Sequence, residues 1–139
     1  MSLFPHHTSD EVCPMCSFKL KSAHPYLRDW FNTWVKPKYI NAHISWAFRG
    51  EEDQEQAFAD HKTLLHWPKS PHNHEEGGLP MSMALDLFQI DEDGVARFSP
   101  LFYAKLAQEI EADKLPLFWG GKWKHLGDLD HIEYQPPKQ

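Results

Sequence analysis

Apolar positions along the chain fall into short runs of two kinds. In residues 25–35, Leu27, Trp30, Phe31 and Trp34 recur at helical spacing behind Pro25, which predicts a helix that Pro37 ends. Residues 40–48 alternate, with Ile44, Trp46 and Phe48 on one side, the pattern of a strand. Residues 51–62 are mostly polar, and Ala57, Phe58 and Leu64 are spaced for a surface helix. From 65 to 83 the signals are Pro, Gly, His and Asn, which predict a long loop; that length within a compact domain marks a functional or a disordered segment. Residues 83–90 read as a buried strand, and Gly94 turns the chain into 95–98. Ser99 and Pro100 read as the N-cap and first residue of a helix to about 112, with Leu101, Phe102, Leu106 and Ile110 as its apolar positions. Residues 119–126 form an aromatic turn region and 131–135 a last strand.

Helices and strands alternate without βαβ regularity, so the expected class is α+β, a single domain with a small antiparallel sheet and flanking helices. The polar start sets residues 1–24 apart as an N-terminal arm, leaving 25–139 as the domain. No repeat or low-complexity tract interrupts it. At 139 residues the chain can bury about two-thirds of its unfolded surface, enough for a core. Most of the six Trp and nine Phe belong in that core.

Charge narrows the partners. Lys+Arg 14 against Asp+Glu 20 gives −6 with no clustered cations, which argues against nucleic acid and gives no attraction to an anionic membrane. No apolar stretch is long enough for a membrane span, and the first residues lack a signal-peptide pattern, so the expected location is the cytoplasm. Two Cys exclude a disulfide framework.

Ten His invite a search for metal ligands. His72 and His74 lie in the long loop, where either could bind a metal and most histidines are solvated and inert. Asp86 sits between Leu85 and Leu87, where a carboxylate is costly unless it reaches solvent, an Arg or a metal. His131 opens the last strand with Glu133 on the same face, and Asp128 stands three residues before it. Taken singly, each of these residues also fits a loop cap or a strand end. Together they supply imidazole, carboxylate and imidazole, the donor set of a catalytic zinc with an open position, and a further carboxylate to move a proton.

At these residues the chain resembles the zinc D-alanyl-D-alanine carboxypeptidases and L-alanyl-D-glutamate endopeptidases, which include phage endolysins and share a fold with hedgehog-type modules. Ser70-Pro71-His72 with Ala84-Leu85-Asp86 matches the two ends of that family's first motif. Trp119-Gly120-Gly121-Lys122-Trp123 with Asp128-Leu129-Asp130-His131-Ile132-Glu133 matches the second throughout, and Arg49 with Gln54 resembles its Arg and Gln five residues apart. The chain departs from the pattern at Glu75-Glu76-Gly77-Gly78-Leu79-Pro80, which looks inserted, and at Ser82, where Gly is common.

The resemblance implies a peptidase acting on the stem or cross-link peptides of peptidoglycan. Zinc would be held by His72, Asp86 and His131, with Asp128 as general base and then acid. Arg49 would steady the oxyanion or a substrate carboxylate, and Gln54, Ser70 and Trp119 would stand at the substrate. It also implies a monomer of a phage or prophage lysis module, kept in the cytoplasm until a holin-type partner opens the membrane. Non-enzymatic zinc modules of the same fold, or a dipeptidase on free D,D-dipeptides, are the alternatives. Finally, Cys13-Pro14-Met15-Cys16 has the spacing of half a zinc ribbon; His6, His7 or His24 could complete a second, structural ion, or the thiols could simply be reduced.

Overall fold

The computed structural model describes residues 14–123 and 127–137. Five antiparallel strands form the main sheet: β1 (Ala42–Trp46), β4 (Ala84–Ile90), β7 (His131–Tyr134) and β6 (Leu117–Trp119) lie side by side in that order. The short β5 (Ala96–Arg97) pairs antiparallel with the end of β4. A separate hairpin, β2 (Glu75–Glu76) and β3 (Leu79–Pro80), is built from the segment that looks inserted in the sequence. Gly77 and Gly78 turn it, both in the left-handed region that favours glycine. Helices α1 (Pro14–Leu20), α2 (Pro25–Trp30), α3 (Lys36–Lys38), α4 (Glu51–Ala59) and α5 (Pro100–Ala112) surround the sheet. The architecture is the expected α+β one.

The core joins α1, α2 and α5 to the sheet through Leu20, Leu27, Phe31, Ile44, Leu85, Leu87, Leu106 and Ile132, all buried. Residues 14–24, read in the sequence as part of an arm, therefore belong to the domain: Cys16, Leu20 and Ala23 are core residues. The Lys19 ammonium fastens α1 to the sheet by donating to the carbonyls of Ile44 and Ser45, each at 3.0 Å.

Three local departures have physical causes. The helix expected to stop at Pro37 runs past it, because a π-turn (Phe31–Val35) precedes the proline and shifts the carbonyl register ahead of the ring. On β1, a register shift between Ile44 and Trp46 breaks the alternation. Ile44 stays in the core while Trp46 turns outward, its ring 5.0 Å from the Arg49 guanidinium carbon. Trp119, placed by the sequence in an aromatic turn region, instead ends the strand Leu117–Trp119, which pairs with β7. No helix among the described residues is long and apolar enough to cross a membrane.

Candidate metal centre

Asp86 and His131 occupy paired positions of the β4–β7 ladder. Leu85 and Leu87 point into the core, so the alternation of the strand sends Asp86 to the opposite side, where it is nonetheless buried. His72 reaches the same point from the loop. Ser70 caps a short 3-10 turn (Pro71–Asn73) by accepting from the His72 amide, and Asn73 returns the bond to the Ser70 amide. The Asn73 side chain also donates to the Arg49 carbonyl, and the Arg49 amide donates to the His72 carbonyl. The turn is thus fixed to the corner that carries Arg49.

Three ligand atoms converge. His72 Nε2 lies 3.1 Å from Asp86 Oδ1 and 3.2 Å from His131 Nδ1, and the last two are 3.3 Å apart. A tetrahedral ion with bonds near 2.0 Å has edges of roughly 3.3 Å, so the donor set and its spacing fit zinc. The remaining ring nitrogens are committed elsewhere. His72 Nδ1 faces the Ala47 carbonyl at 2.7 Å and His131 Nε2 faces Glu133 Oε1 at 2.9 Å. Those acceptors can each hold a proton on the far side of the ring, so that a ring which gives up any other proton presents its facing nitrogen to a metal. His74, the rival to His72, is exposed and pairs with Glu76.

Asp86 is electrostatically coupled to both imidazoles. Burial works against the Asp86 charge, but the His72 and His131 imidazoles overcome it and hold the carboxyl well below the usual range. Burial likewise disfavours His131 as a cation, yet its bonds to Asp86 and Glu133 raise it to about 9. Asp130, not anticipated from the sequence as a site residue, is pushed up to about 9 by burial, then by its hydrogen bond with Asp128 and the nearby Asp86 charge.

Asp128 stands beside the cluster, Oδ2 3.9 Å from His131 Nδ1, half-buried and open to the cleft. Gly120 makes that position available. A Cβ on Gly120 would come within 2.6 Å of the Asp128 carbonyl oxygen and 3.0 Å of His131 Cβ, while the Gly120 carbonyl accepts from the Asp128 amide. Gly121 lies under the Trp119 ring, where a Cβ would stand 2.2 Å from the indole. The Trp119 indole N–H donates to the Leu129 carbonyl at 2.7 Å. The Trp-Gly-Gly run is thus a clamp on the loop that carries Asp128.

Arg49 is buried, 3.5 Å from Asp86 Oδ2, and its other terminal nitrogen donates to Gln54 Oε1 at 3.2 Å. Its Nε has no hydrogen-bond partner among the described residues. Gln54 is fully buried, donating to the Leu65 carbonyl and accepting from Asn73, so it sits behind Arg49 rather than facing the cleft. A cleft of about 350 Å³ opens over the cluster, walled by Arg49, Lys62, Leu65, Ser70, Trp123 and Asp128. A second depression on the other side of Arg49 shares Lys62 and Asp128 and adds Asp86 and Asp130. Of the residues expected at substrate, Ser70 lines the cleft; Trp119 lines a separate hollow near α5, and Trp123 takes the place beside His131. Asn73 and Lys62 were missed in the sequence, where a loop Asn and a helix-end Lys carry no signal. Cys13, His6, His7 and His125 lie outside the described residues.

With this geometry in view, comparison with solved structures is informative. The chain has the fold of Serratia marcescens L-Ala D-Glu endopeptidase ChiX. The two superpose with a TM-score of 0.68 at 19% identity, over 89% of each chain. At that identity the likeness concerns the fold. No protein-family model matches the chain, and no curated protein matches its sequence.

Proposed function

We propose that this protein is a zinc-dependent peptidase that hydrolyses the short peptides of bacterial peptidoglycan. The observation that carries the reading is the trio His72 Nε2, Asp86 Oδ1 and His131 Nδ1 beside the carboxylate of Asp128 at the floor of an open cleft. The shared fold with an L-Ala D-Glu endopeptidase supports the substrate class.

The chemistry that a zinc ion supplies when held by these residues is Lewis-acid polarisation of a carbonyl and acidification of water. The rest falls to the chain. Asp128 faces the cleft at a distance suited to accept a proton from the attacking water and to deliver it to the leaving amine. Arg49 lines the cleft with a buried guanidinium that can donate to the oxygen on which negative charge develops, or to a substrate carboxylate. Gln54 and Asn73 hold that guanidinium and the His72 turn in one frame. Glu133 and the Ala47 carbonyl hold the imidazoles in the ligating tautomer.

A non-enzymatic module would be better served by a closed site. Of the two candidate fourth ligands, His74 points instead to Glu76, and His125 lies outside the described residues. A phage or prophage lysis setting, with cytoplasmic accumulation and release by a membrane-opening partner, is part of the proposal. Co-expression with and without a holin tests it: lysis in both cases, or in neither, overturns that setting.

The deciding experiment is turbidity loss of purified peptidoglycan, or of permeabilised Gram-negative cells, with chelator and with zinc restored. Zinc-restorable release of new amino termini is expected, and identifying them names the bond. Asp128→Asn should keep zinc and lose roughly 10²- to 10⁴-fold in rate. His131→Ala should lose both zinc and activity. Wild-type rates in the Asp128 variant would refute the mechanism, and zinc-loaded protein inert on peptidoglycan and on free D,D-dipeptides would leave the non-enzymatic module.

A further inference from the structure

Helix α4 and strand β1 wall a depression that the chemistry of the metal cluster does not use. It holds about 510 Å³, within the roughly 300–1,000 Å³ of small-ligand sites. Arg49, Lys62 and Asp128 line both it and the cleft over the cluster, so the two hollows adjoin at the candidate catalytic groups.

Aromatic side chains set this depression apart. Strict alternation along β1 would put Trp46 with Ile44, on the core side. The register shift between them instead pairs Trp46 with Asp86, so the indole turns to the face of the sheet that carries the cluster. The Arg49 guanidinium lies over that ring. Phe98, just beyond β5, stacks on Phe88 with centroids 5.8 Å apart and planes at 20°, which fixes the ring while leaving the residue 55% exposed. Both Trp46 and Phe98 line the depression. Two exposed aromatics fixed around one hollow mark a contact surface.

The other wall is polar. Asp53, Gln56, Ala57 and Asp60 fall at i, i+3, i+4 and i+7 along α4 and its cap, and this one face lines the depression. Ala57 leaves space between three hydrogen-bonding side chains. Gln56 Nε2 donates to Asp60 Oδ1 at 3.1 Å, which holds the two side chains together with acceptor positions to spare. Aromatic faces opposed to amide and carboxylate groups suit a ligand that is apolar on its C–H faces and hydroxylated around its rim. A pyranose ring has that form. The carboxylates on this wall disfavour an anionic ligand.

We propose that this depression binds a sugar ring of the glycan strand, with Trp46 and Phe98 against its C–H faces and Asp53, Gln56 and Asp60 at its hydroxyls. The inference rests on the peptidoglycan reading. Stem peptides hang from an N-acetylated sugar through a lactyl group, and one extended residue spans only about 3.5 Å. A sugar held beside Asp128 and Arg49 therefore brings the first bonds of the stem over the cluster. The preferred substrate is then a glycan-attached peptide, and a released stem peptide is a poorer one.

Initial rates of the zinc-loaded chain on one stem peptide, free and linked to N-acetylmuramic acid, test the proposal. The linked form should show a KM lower by about tenfold. Phe98→Ser and, separately, Gln56→Ala should raise that KM toward the free-peptide value, with kcat and the free-peptide constants unchanged. A second measurement needs no catalysis. Magnetisation transfer from the chelated protein to the sugar protons of the N-acetylglucosamine–N-acetylmuramic acid disaccharide should be seen with wild type and be lost with Phe98→Ser. Disaccharide binding that the variant loses, without hydrolysis of either peptide, would keep the site and remove the peptidase reading. Equal KM for the two peptides, or no transfer to the disaccharide, would overturn the site while hydrolysis left that reading standing. Displacement of the disaccharide by free lysine would assign the depression to a cationic amine and overturn the proposal as well. The wild-type comparisons need no substitution, so a variant that fails to fold does not shield it.

Discussion

His131 and Asp86 are cross-strand partners on β7 and β4, and the facing atoms, Nδ1 and Oδ1, are 3.3 Å apart. Two of the three candidate ligands are therefore set by sheet register, the most rigid relation the fold offers, and only His72 comes from a loop. The metal-free protein carries His131 as a cation, because Asp86 and Glu133 outweigh burial and raise it to about 9. A zinc ion held there would have to displace that proton. Apparent zinc affinity should therefore rise roughly tenfold per pH unit below pH 9, and calorimetry in buffers of different ionisation enthalpy should show proton release near pH 7.5. Binding without proton release would contradict the described protonation.

The same groups give the chelated protein an unusual stability profile. His131, raised from 6.5, contributes stability that is fully present below pH 6.5 and lost as pH rises through about 9. Asp130, raised from 3.8 to about 9, binds its proton more tightly in the folded state, so its effect has the same sign. Denaturant midpoints of the chelated protein should fall between pH 6 and pH 9. Asp130→Asn should flatten part of that fall; an equal or steeper slope in the variant would exclude Asp130 as a contributor.

Gly120 is required by space. A methyl group there would meet the Asp128 carbonyl oxygen at 2.6 Å, a backbone atom that cannot move without taking the catalytic candidate with it. Gly120→Ala should cost about 1–3 kcal/mol in urea denaturation and lower peptidase activity. Gly127→Ala is the control, since the nearest atom to its Cβ is the Trp123 carbonyl oxygen at 4.0 Å. Equal effects at the two positions would dismiss the steric account.

Gln54 acts on the site without lining it. Replacement by Leu keeps the bulk but strands the Leu65 carbonyl and removes the acceptor shared by Arg49 and Asn73. A loss of about 1–3 kcal/mol in stability is expected. Activity should fall while zinc content stays unchanged, because the ligands are untouched and only the frame around Arg49 loosens. Zinc loss in this variant would assign Gln54 a different role.

His72 and His74 can be told apart by metal analysis. His72→Ala should remove the cluster ion; His74→Ala, which breaks only an exposed pair with Glu76, should retain it. The opposite result would exchange their roles.

The parts of the site were legible in the sequence because its motifs are local. Asp-x-x-His placed Asp128 and His131 at the mouth of one strand, and a charged residue between Leu85 and Leu87 marked Asp86 as anomalous. Trp-Gly-Gly was visible as a pattern, but its reason was not: the indole over Gly121 and the loop against Gly120 are contacts between segments. Trp119 reads in the sequence as a substrate residue and Trp123 only as part of the motif, while in the fold the first braces the loop and the second faces the cleft. Residues 14–24 looked like an arm because α1 is too short to announce a core helix, and its burial comes from Cys16 and Leu20 alone while Met15 and Phe18 are exposed.

The sequence by itself determined the class of fold, the helices and strands of strong periodicity, and the inventory of imidazoles and carboxylates, since these follow from residue type and spacing. The tertiary structure decided which of those groups meet. The β4–β7 register sets Asp86 against His131, the capped turn at Ser70 brings in His72 rather than His74, and Ala47 and Glu133 select the nitrogens that face inward. It also brought Cys16 to His43. Such meetings depend on the register and packing of segments far apart in the chain, and no local spacing encodes them.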